Sequence, residues 1–349
     1  MAQKRNQEQD ITVEPFGDGG ESPGLREDDI DSWHRLLVAC AAVDESDEPA
    51  PERARAVANL LHPPLGTEVR RWVARDREGA LVATAQLRLF RESGRSRLAR
   101  CQISVHPERR RQGIGSELLA VLRAEAQTAG RTTLGCGNVT GAAGPAALTA
   151  WGFTRGPEYL KLRLRVADCD QDALRAVVRA ASDGYHLARW QGVPPTDLAP
   201  AFARARAVMA DAPSGGVDRG RVEWDTARVR ESAERHAARG KALLTVAALY
   251  EDEQGDEAVA GFSEVILDGG RGGPRARQSD TAVARPHRGR GLGLWVKAAM
   301  LQWLLGAHPE VAEVMTVCAE SNRHMIAINE QLGFEVVGSE CEFILSLAP

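Results

Sequence analysis

Hydrophobic and polar positions follow one another along the chain in an order that occurs twice. Apolar residues at every second position predict strands, and apolar residues three to four positions apart predict helices. In the first half the predicted elements are, in chain order, a helix from Asp29, a strand hairpin over 68–90, a strand over 98–105, a helix over 116–127, a strand over 132–138, a short Ala-rich helix ending at Trp151 and a strand over 159–166.

The second half repeats this order after a longer preamble, in which helical patterns are separated by Pro/Gly breaks at 192–195 and 213–216. The predicted elements are helices within 173–181, 197–209 and 227–240, strands over 242–250, 258–267 and 279–284, a helix over 294–305, a strand over 311–319, a helix over 322–331 and a strand over 340–347.

Counting supports a duplication. The distance from Gln86 to Gly113 is 27 positions, and the distance from Glu264 to Gly291 is also 27 positions. We therefore expect two domains, 26–166 and 167–349. Residues 1–25 are polar and Gly-rich, and apart from the segment ITVEPF we expect them to be flexible.

Composition narrows the class of protein. A hydrophobic fraction of 43% with mixed charge indicates a soluble globular protein, and a net charge of −4 gives no general reason to expect DNA or a membrane as partner. The cysteines are scattered without C-x-x-C spacing, which argues against a disulfide framework or a metal site and fits a reducing cytoplasm. They are Cys40, Cys101, Cys136, Cys169, Cys318 and Cys341.

The candidate chemistry lies in SDTAVARPHRGRGLG, 279–293, and in its counterpart CQISVHPERRRQGIG, 101–115. Both contain R-x-x-G-x-G between a strand and a helix. Backbone N–H groups in such a loop, with the positive end of a helix dipole, suit a pyrophosphate, although a glycine turn can also simply join the two elements. The loop residues are Arg288, Gly289, Arg290, Gly291, Leu292 and Gly293, and Arg110, Arg111, Gln112, Gly113, Ile114 and Gly115.

This pattern, with NRHMIAINEQLGF over 322–334, resembles the GCN5-related N-acetyltransferase (GNAT) family. The resemblance implies two tandem α/β (α+β) folds, each a mixed, twisted, splayed sheet flanked by helices. It also implies acetyl-CoA as the donor, held by the two loops, by backbone groups near Val283 and Val105, and near Asn322. Capping of its own helix is an equally good account of Asn322.

Direct attack of an amine on a thioester requires a base, and Glu264 is the first candidate. Alternation in AGFSEVIL places it on the same face as Phe262 and Ile266, where burial would raise its affinity for a proton. A salt-bridged or edge-exposed role is the alternative. Asp280 is a second candidate, whereas Gln86, at the matched position of the first copy, cannot act as a base.

The expected acid is missing. The family commonly has a Tyr four residues before the Gly of its Gly-Phe ending, where this chain has Asn329 and Leu148. Either the thiolate leaves without a side-chain acid, another group or a water protonates it, or the donor is not an ordinary thioester. The first copy, whose corresponding helix contains Gly144 and Pro145, is expected to be degenerate, a donor-binding or structural half.

Three functions remain open at this stage. The first is a bacterial N-acetyltransferase acting on a primary amine of a small molecule, with helices of 171–240 covering the acceptor. The second transfers an aminoacyl group from tRNA, with a basic patch of Arg271, Arg275, Arg277, Arg285, Arg288 and Arg290. The third is a non-catalytic CoA-binding protein. His287 and His324 are expected to be exposed, and Cys318 is expected to be a core residue rather than an acyl carrier.

Overall fold

The computed structural model describes residues 11–17, 24–45, 49–139, 143–180, 183–207, 222–268 and 275–347. It divides into two compact units, which we call unit 1 (1–156 and 341–349) and unit 2 (157–340). Residues 1–10 and 18–23 of the expected flexible N-terminus lie outside the described residues, while the segment ITVEPF supplies a strand.

Unit 1 is a mixed sheet with helices. Its elements are β1 (Thr12–Pro15), α1 (Glu27–Asp44), α2 (Arg53–Leu61), β2 (Thr67–Arg75), β3 (Leu81–Phe90), β4 (Leu98–Val105), α3 (Ile114–Thr128), β5 (Thr133–Val139) and α4 (Ala143–Ala150). Strands β1 to β5 lie side by side in sequence order, antiparallel except for the parallel pair β4–β5. Helix α2 was not among the predicted elements.

Unit 2 has the matching elements. They are β6 (Thr154–Arg165, shared with unit 1 at its start), α5 (Gln171–Arg179), β7 (His186–Gln191), α6 (Ala199–Ala207), α7 (Thr226–Ala238), β8 (Lys241–Glu251), β9 (Glu257–Asp268), β10 (Arg275–Val283), α8 (Leu292–Ala307), β11 (Glu313–Ala319), α9 (Arg323–Gln331) and β12 (Glu335–Ser346, which ends in unit 1). The strand order is β6-β11-β10-β9-β8-β7, with β10–β11 parallel. Strand β7 was not predicted.

Each sheet is splayed at its parallel pair. Pairing of β10 with β11 covers only Arg275–Arg277 against Glu313–Met315, although both strands continue. In unit 1 the corresponding pairing covers Leu98–Arg100 against Thr133–Gly135. The mixed, splayed sheet expected of both copies is therefore present, and each opening lies beside the loop that begins α8 or α3.

The closing strands differ from the expected assignment. The strand predicted to end the first domain pairs with β11 of unit 2, from Tyr159–Ala319 to Arg165–Glu313. The strand predicted to end the second domain pairs from Cys341 onward with β5 of unit 1. Both segments carry the same alternation of apolar residues, so the sequence pattern specifies a closing strand without specifying its sheet.

Helix α8 lies at the centre of the unit 2 core. Trp295, Val296, Met300 and Leu301 are each at most 5% exposed, and the indole N–H of Trp295 donates to the carbonyl of Val178 at 2.9 Å. Burying side chains of this size stabilises a fold by about 1.5–3 kcal/mol each. The apolar helix therefore fixes the position of the loop at its N-terminus.

Candidate active site

The loop before α8 has the backbone of an anion cradle. Gly289 and Gly291 have φ of +78° and +75°, and Gly291 is the residue immediately before the helix. A Cβ at either glycine would meet nothing within 4 Å, so glycine is needed for the left-handed backbone rather than for space. Left-handed turns of this kind direct successive N–H groups to one side, where an anion can bind. The residues present therefore fit a pyrophosphate.

The loop of unit 1 follows the same path at a higher conformational cost. Arg111 and Gly113 occupy the matched positions with φ of +62° and +84°. Among the described residues, Arg111 is the one residue other than glycine whose φ is positive. This left-handed conformation costs a residue that has a side chain about 1–2 kcal/mol. Gln112, between them, donates to the Glu108 carbonyl at 3.4 Å.

The first arginine of each motif braces a strand end. Nε of Arg288 donates to the carbonyl of Val283 at 3.0 Å, and Nε of Arg110 donates to the carbonyl of Val105 at 3.1 Å. Arg110 also binds both carboxylate oxygens of Asp44, at 2.8 and 2.7 Å. Phosphate binding in these loops would therefore depend mainly on backbone groups.

The third position of the glycine pattern distinguishes the two copies. A Cβ on Gly293 would lie 3.3 Å from Cδ1 of Ile328 and 3.8 Å from Val283, whereas a Cβ on Gly115 would lie 2.9 Å from the Trp151 ring. The Trp151 indole donates to the hydroxyl of Ser116 at 3.0 Å. A large ring thus lies across the first turn of α3 in unit 1.

The residues between these glycines are core residues. Leu292 and Ile114 are each 1% exposed, so their contribution to a cradle would be through the backbone. Arg290, in contrast, is exposed, and its guanidinium lies 6.0 Å from the centre of the Tyr185 ring.

The two candidate carboxylates of unit 2 are held by one arginine. Glu264 on β9 is 3% exposed and accepts a hydrogen bond from Nη1 of Arg206, at the end of α6. Nη2 of Arg206 lies 3.2 Å from the Asp280 carboxylate. The same guanidinium stacks 4.1 Å from the centre of the Trp224 ring. Arg206 was not predicted, because it is one of several arginines in the helical pattern AFARARAV.

Burial dominates the electrostatics of Glu264. It raises the pKa of the carboxyl to about 7, an effect that Arg206 partly offsets and the negative charge of Asp280 reinforces. Thr245 lies directly across from Glu264 on β8, is fully buried, and has no hydrogen-bond partner for its hydroxyl in the described chain. A carboxyl with such a pKa can exchange protons near neutral pH.

Unit 2 has a β-bulge at a point where the matching strands of unit 1 pair without one. The β9–β10 register shifts by one residue between Gln278 and Thr281, so that Ser279 and Asp280 together lie opposite the single residue Glu264. The β3–β4 register is continuous, and there Gln86 donates to Gln102 at 2.8 Å. Because bulges re-aim side chains and occur beside active sites, this difference favours unit 2 as the reactive copy.

A small cavity of about 10 Å³ adjoins the buried carboxylate. Helices α6 and α7 and the segment after β7 line it together with β8 and β9, so residues of 171–240 do cover this side of Glu264. The lining residues are Gly192, Pro194, Phe202, Arg206, Trp224, Val229, Ser232, Ala233, Leu243, Thr245 and Glu264.

Other predicted residues have structural partners. Oδ1 of Asn322 accepts from the Met325 amide at 3.2 Å and so caps α9. His287 is half-buried rather than exposed, because the Tyr185 hydroxyl contacts its Nδ1 at 2.8 Å and the Tyr250 ring lies 4.3 Å away. Cys318 is buried, and burial raises the pKa of its thiol.

The proposed basic patch is partly engaged within the chain. Arg275 pairs with Glu313 at 2.9 Å, and Arg288 is bound to a strand end as described above. Arg271 lies outside the described residues.

Two polar residues in the core of unit 2 have no polar counterpart in unit 1. Lys297 on α8 and Asn329 on α9 are each 1% exposed, where unit 1 has buried Leu119 and Leu148. The signal for Lys297 was present in the sequence, since it interrupts the apolar pattern of LWVKAAMLQWLL.

Comparison with known proteins agrees with this architecture. A model of the acetyltransferase (GNAT) domain matches residues 68–153, and a model of the acetyltransferase (GNAT) family matches residues 211–334. Together these matches cover more than half of the chain, which therefore belongs to the GNAT family as a tandem protein. It is an N-acetyltransferase by class. No curated protein sequence matches the chain.

Solved structures share this fold over nearly the whole chain. A tandem GNAT protein from the clavulanic acid biosynthesis pathway is 28% identical with a TM-score of 0.78, covering 97% of this chain and 99% of its own. A GCN5-related N-acetyltransferase from Sphaerobacter thermophilus is 17% identical with a TM-score of 0.64, covering 97% of this chain and 96% of its own. The latter likeness concerns the fold alone.

The described part of the chain contains no helix long and apolar enough to cross a membrane. Within the same residues, no group of three or more His, Cys, Asp or Glu side chains is arranged to hold a metal ion.

Proposed function

We propose that this protein transfers an acetyl or other short acyl group from acyl-CoA to a primary amine of a small molecule, and that the reaction takes place in unit 2. The observation that carries the proposal is the buried carboxyl of Glu264, which lies beside a cavity and has a pKa raised by burial to about 7. The six free thiols support a reducing, cytoplasmic location.

Each group of residues in unit 2 has a separate role in this reaction. The loop from Gly289 to Gly293 binds the pyrophosphate of the donor through backbone N–H groups, and backbone groups at the end of β10 near Val283 receive the acyl arm. Glu264 accepts the proton that the amine loses, and Asp280 attracts the cationic acceptor. Arg206 keeps a fraction of Glu264 ionised at neutral pH, because its positive charge favours the carboxylate.

The acceptor class follows from the surroundings of Glu264. The carboxyl is 3% exposed and lies behind α6, α7 and the Trp224 ring, and the adjoining cavity of about 10 Å³ is about the size needed for one water. A base recessed in this way favours a small molecule over a folded protein as the acceptor. The similarity to a tandem GNAT protein from a small-molecule pathway, that of clavulanic acid, supports the same class.

Calorimetric titration with acetyl-CoA tests donor binding and counts the sites. Two position-matched variants assign them, since Arg290→Glu and Gln112→Glu each place a carboxylate in one loop. We expect Arg290→Glu to weaken binding in unit 2 by at least about tenfold through charge repulsion. Any binding that is lost only in Gln112→Glu belongs to unit 1. Absence of all binding by the wild type would refute the acyl-CoA donor, and aminoacyl-tRNAs would be tested next.

An amine screen, read by release of free CoA thiol, tests the reaction. Glu264→Gln keeps the shape of the side chain and removes the base, so kcat/KM should fall about 10²-fold or more. Gln86→Glu, at the matched position of unit 1, is the control and should leave the rate unchanged. Equal rates for wild type and Glu264→Gln would exclude Glu264 as the base.

A further inference from the structure

Lys297 lies on the helix face that continues from the cradle. It follows Gly293 by four residues, so the two positions share one face of α8. At Gly293 this face contacts Ile328 of α9 and the end of β10 at Val283. The Lys297 side chain is therefore directed into the same layer, one helical turn below the loop.

The neighbours of the Lys297 ammonium place it at the splay of the sheet. Its Nζ lies 5.4 Å from the centre of the Phe334 ring, and the Cys318 thiol favours the charged form of the lysine, which raises its pKa. Cys318 is three residues beyond Met315, the last residue of β11 that pairs with β10. Lys297 thus lies where the two strands have separated, between α8, β11 and Phe334, which is three residues beyond the end of α9.

The surroundings of this lysine do little to offset its burial. It is 1% exposed, and the groups that act on its charge are the Cys318 thiol and the face of the Phe334 ring rather than a carboxylate. A buried ammonium without a carboxylate partner is costly. The fold does not demand a polar residue here, because unit 1 has the buried Leu119 at the matched position.

A second buried polar group lies in the same layer. Asn329 is 1% exposed, and its side-chain Oδ1 has no hydrogen-bond partner in the described residues. Its backbone carbonyl accepts a hydrogen bond from the Phe334 backbone amide at 3.0 Å. Its counterpart in unit 1 is the buried Leu148. Two such departures from an apolar core, both beside Phe334 and both confined to unit 2, indicate that a polar ligand group completes this layer.

We propose that Lys297 is the acid that protonates the departing thiolate, with Asn329 as a second polar contact in the same layer; this inference rests on the proposed function. As the amine nitrogen bonds to the acyl carbon, the carbon–sulfur bond breaks and its electron pair goes to sulfur. The Lys297 ammonium gives that sulfur a proton and becomes a neutral amine. Glu264 takes the proton lost by the substrate nitrogen, and exchange with solvent restores both groups.

The electrostatics support this role. Burial lowers the pKa of Lys297 to about 7, against the opposing effect of the Cys318 thiol. Cys318 is the titratable group that faces it from β11, while Phe334 does not titrate. An acid is most effective when its pKa lies near the working pH. The rate under saturating substrates should therefore fall as the pH rises above about 7, where the ammonium form is lost.

The test combines a variant with a change of leaving group. Lys297→Met and Lys297→Leu, the latter restoring the residue of unit 1, are compared with the wild type using acetyl-CoA and an acetyl thioester of an electron-poor arenethiol. We expect kcat with acetyl-CoA to fall about 10²-fold and the alkaline limb of its pH profile to disappear. With the arenethiol donor the deficit should shrink to less than about threefold, because that thiolate leaves without a proton.

The outcomes separate this inference from the proposed function. A wild type that neither binds nor consumes acetyl-CoA would refute both. An active wild type would refute the inference alone if the variants kept its kcat, or if their deficit were equal with both donors. Acetyl-CoA titration and circular dichroism show whether the variants fold and bind. An acyl group found on Lys297 by mass spectrometry during turnover would make it a covalent carrier and overturn its role as an acid.

Discussion

Replacing Lys297 by Met should stabilise unit 2, and by an amount that depends on pH. The folded-state pKa of Lys297 is about 7, against 10.5 for an ordinary lysine. One unit of pKa corresponds to about 1.36 kcal/mol, so burial of this ammonium costs about 5 kcal/mol when both the folded and unfolded states would be protonated. Methionine fills a similar volume without a charge.

The sign of the pH dependence follows from proton counting. Between pH 7 and 10.5 the unfolded chain keeps the lysine proton while the folded chain has lost it. Stability therefore rises with pH in this range, and the full cost is present below pH 7. The advantage of Lys297→Met should fall from about 5 kcal/mol near pH 6 to about 1–2 kcal/mol near pH 9.5.

Hydrogen exchange of α8 amides, followed by mass spectrometry at both pH values, measures this local stability. Leu119→Met, measured on α3 of unit 1, is the matched control and should change stability by less than about 1.5 kcal/mol at either pH. A stabilisation of α8 that is equal at the two pH values would show that the Lys297 ammonium is not desolvated in the folded protein.

Single contacts in both units can be tested in the same way. Arg206→Met removes the charge that favours ionised Glu264, so the acidic limb of kcat/KM should move up by about one pH unit or more; an unmoved limb would exclude this pairing. Arg111→Gly should raise the free energy of unfolding of unit 1 by about 1 kcal/mol, because glycine adopts the left-handed backbone without strain. A lower free energy of unfolding would mean that the Arg111 side chain stabilises the loop. Deleting 341–347 should abolish exchange protection in β5 but not in α8; loss in both would contradict the division into units.

The glycine motif and the elements on either side of it could be predicted from the sequence. The strand, the R-x-x-G-x-G loop and the helix have strong local signals, because glycine is needed at left-handed positions and the helix begins at once. Glu264 could be placed on an apolar strand face by alternation alone, and the structure shows it buried. These features depend on neighbours a few residues apart.

The partners of the site could not be found in the same way. Arg206 is 58 residues from Glu264 in sequence, and nothing in its helical pattern separates it from the adjacent arginines. The bulge at Asp280 changes the pairing without changing the apolar pattern of β10. Lys297 could have been singled out, but a lysine in an apolar helix can also extend its ammonium to solvent, and only the packing of α8 shows that it does not.

The exchange of closing strands has a consequence for biosynthesis. The sheet of unit 1 needs residues 341–346 beside β5, so the ribosome must first make all of residues 157–340. Until then the backbone N–H and C=O groups along one edge of β5 are unpaired. Such an edge can pair with another nascent chain and cause aggregation, or it can be bound by a chaperone. For the same reason, cutting the gene between the two copies would not yield two self-sufficient proteins: each fragment would carry the strand that completes the other.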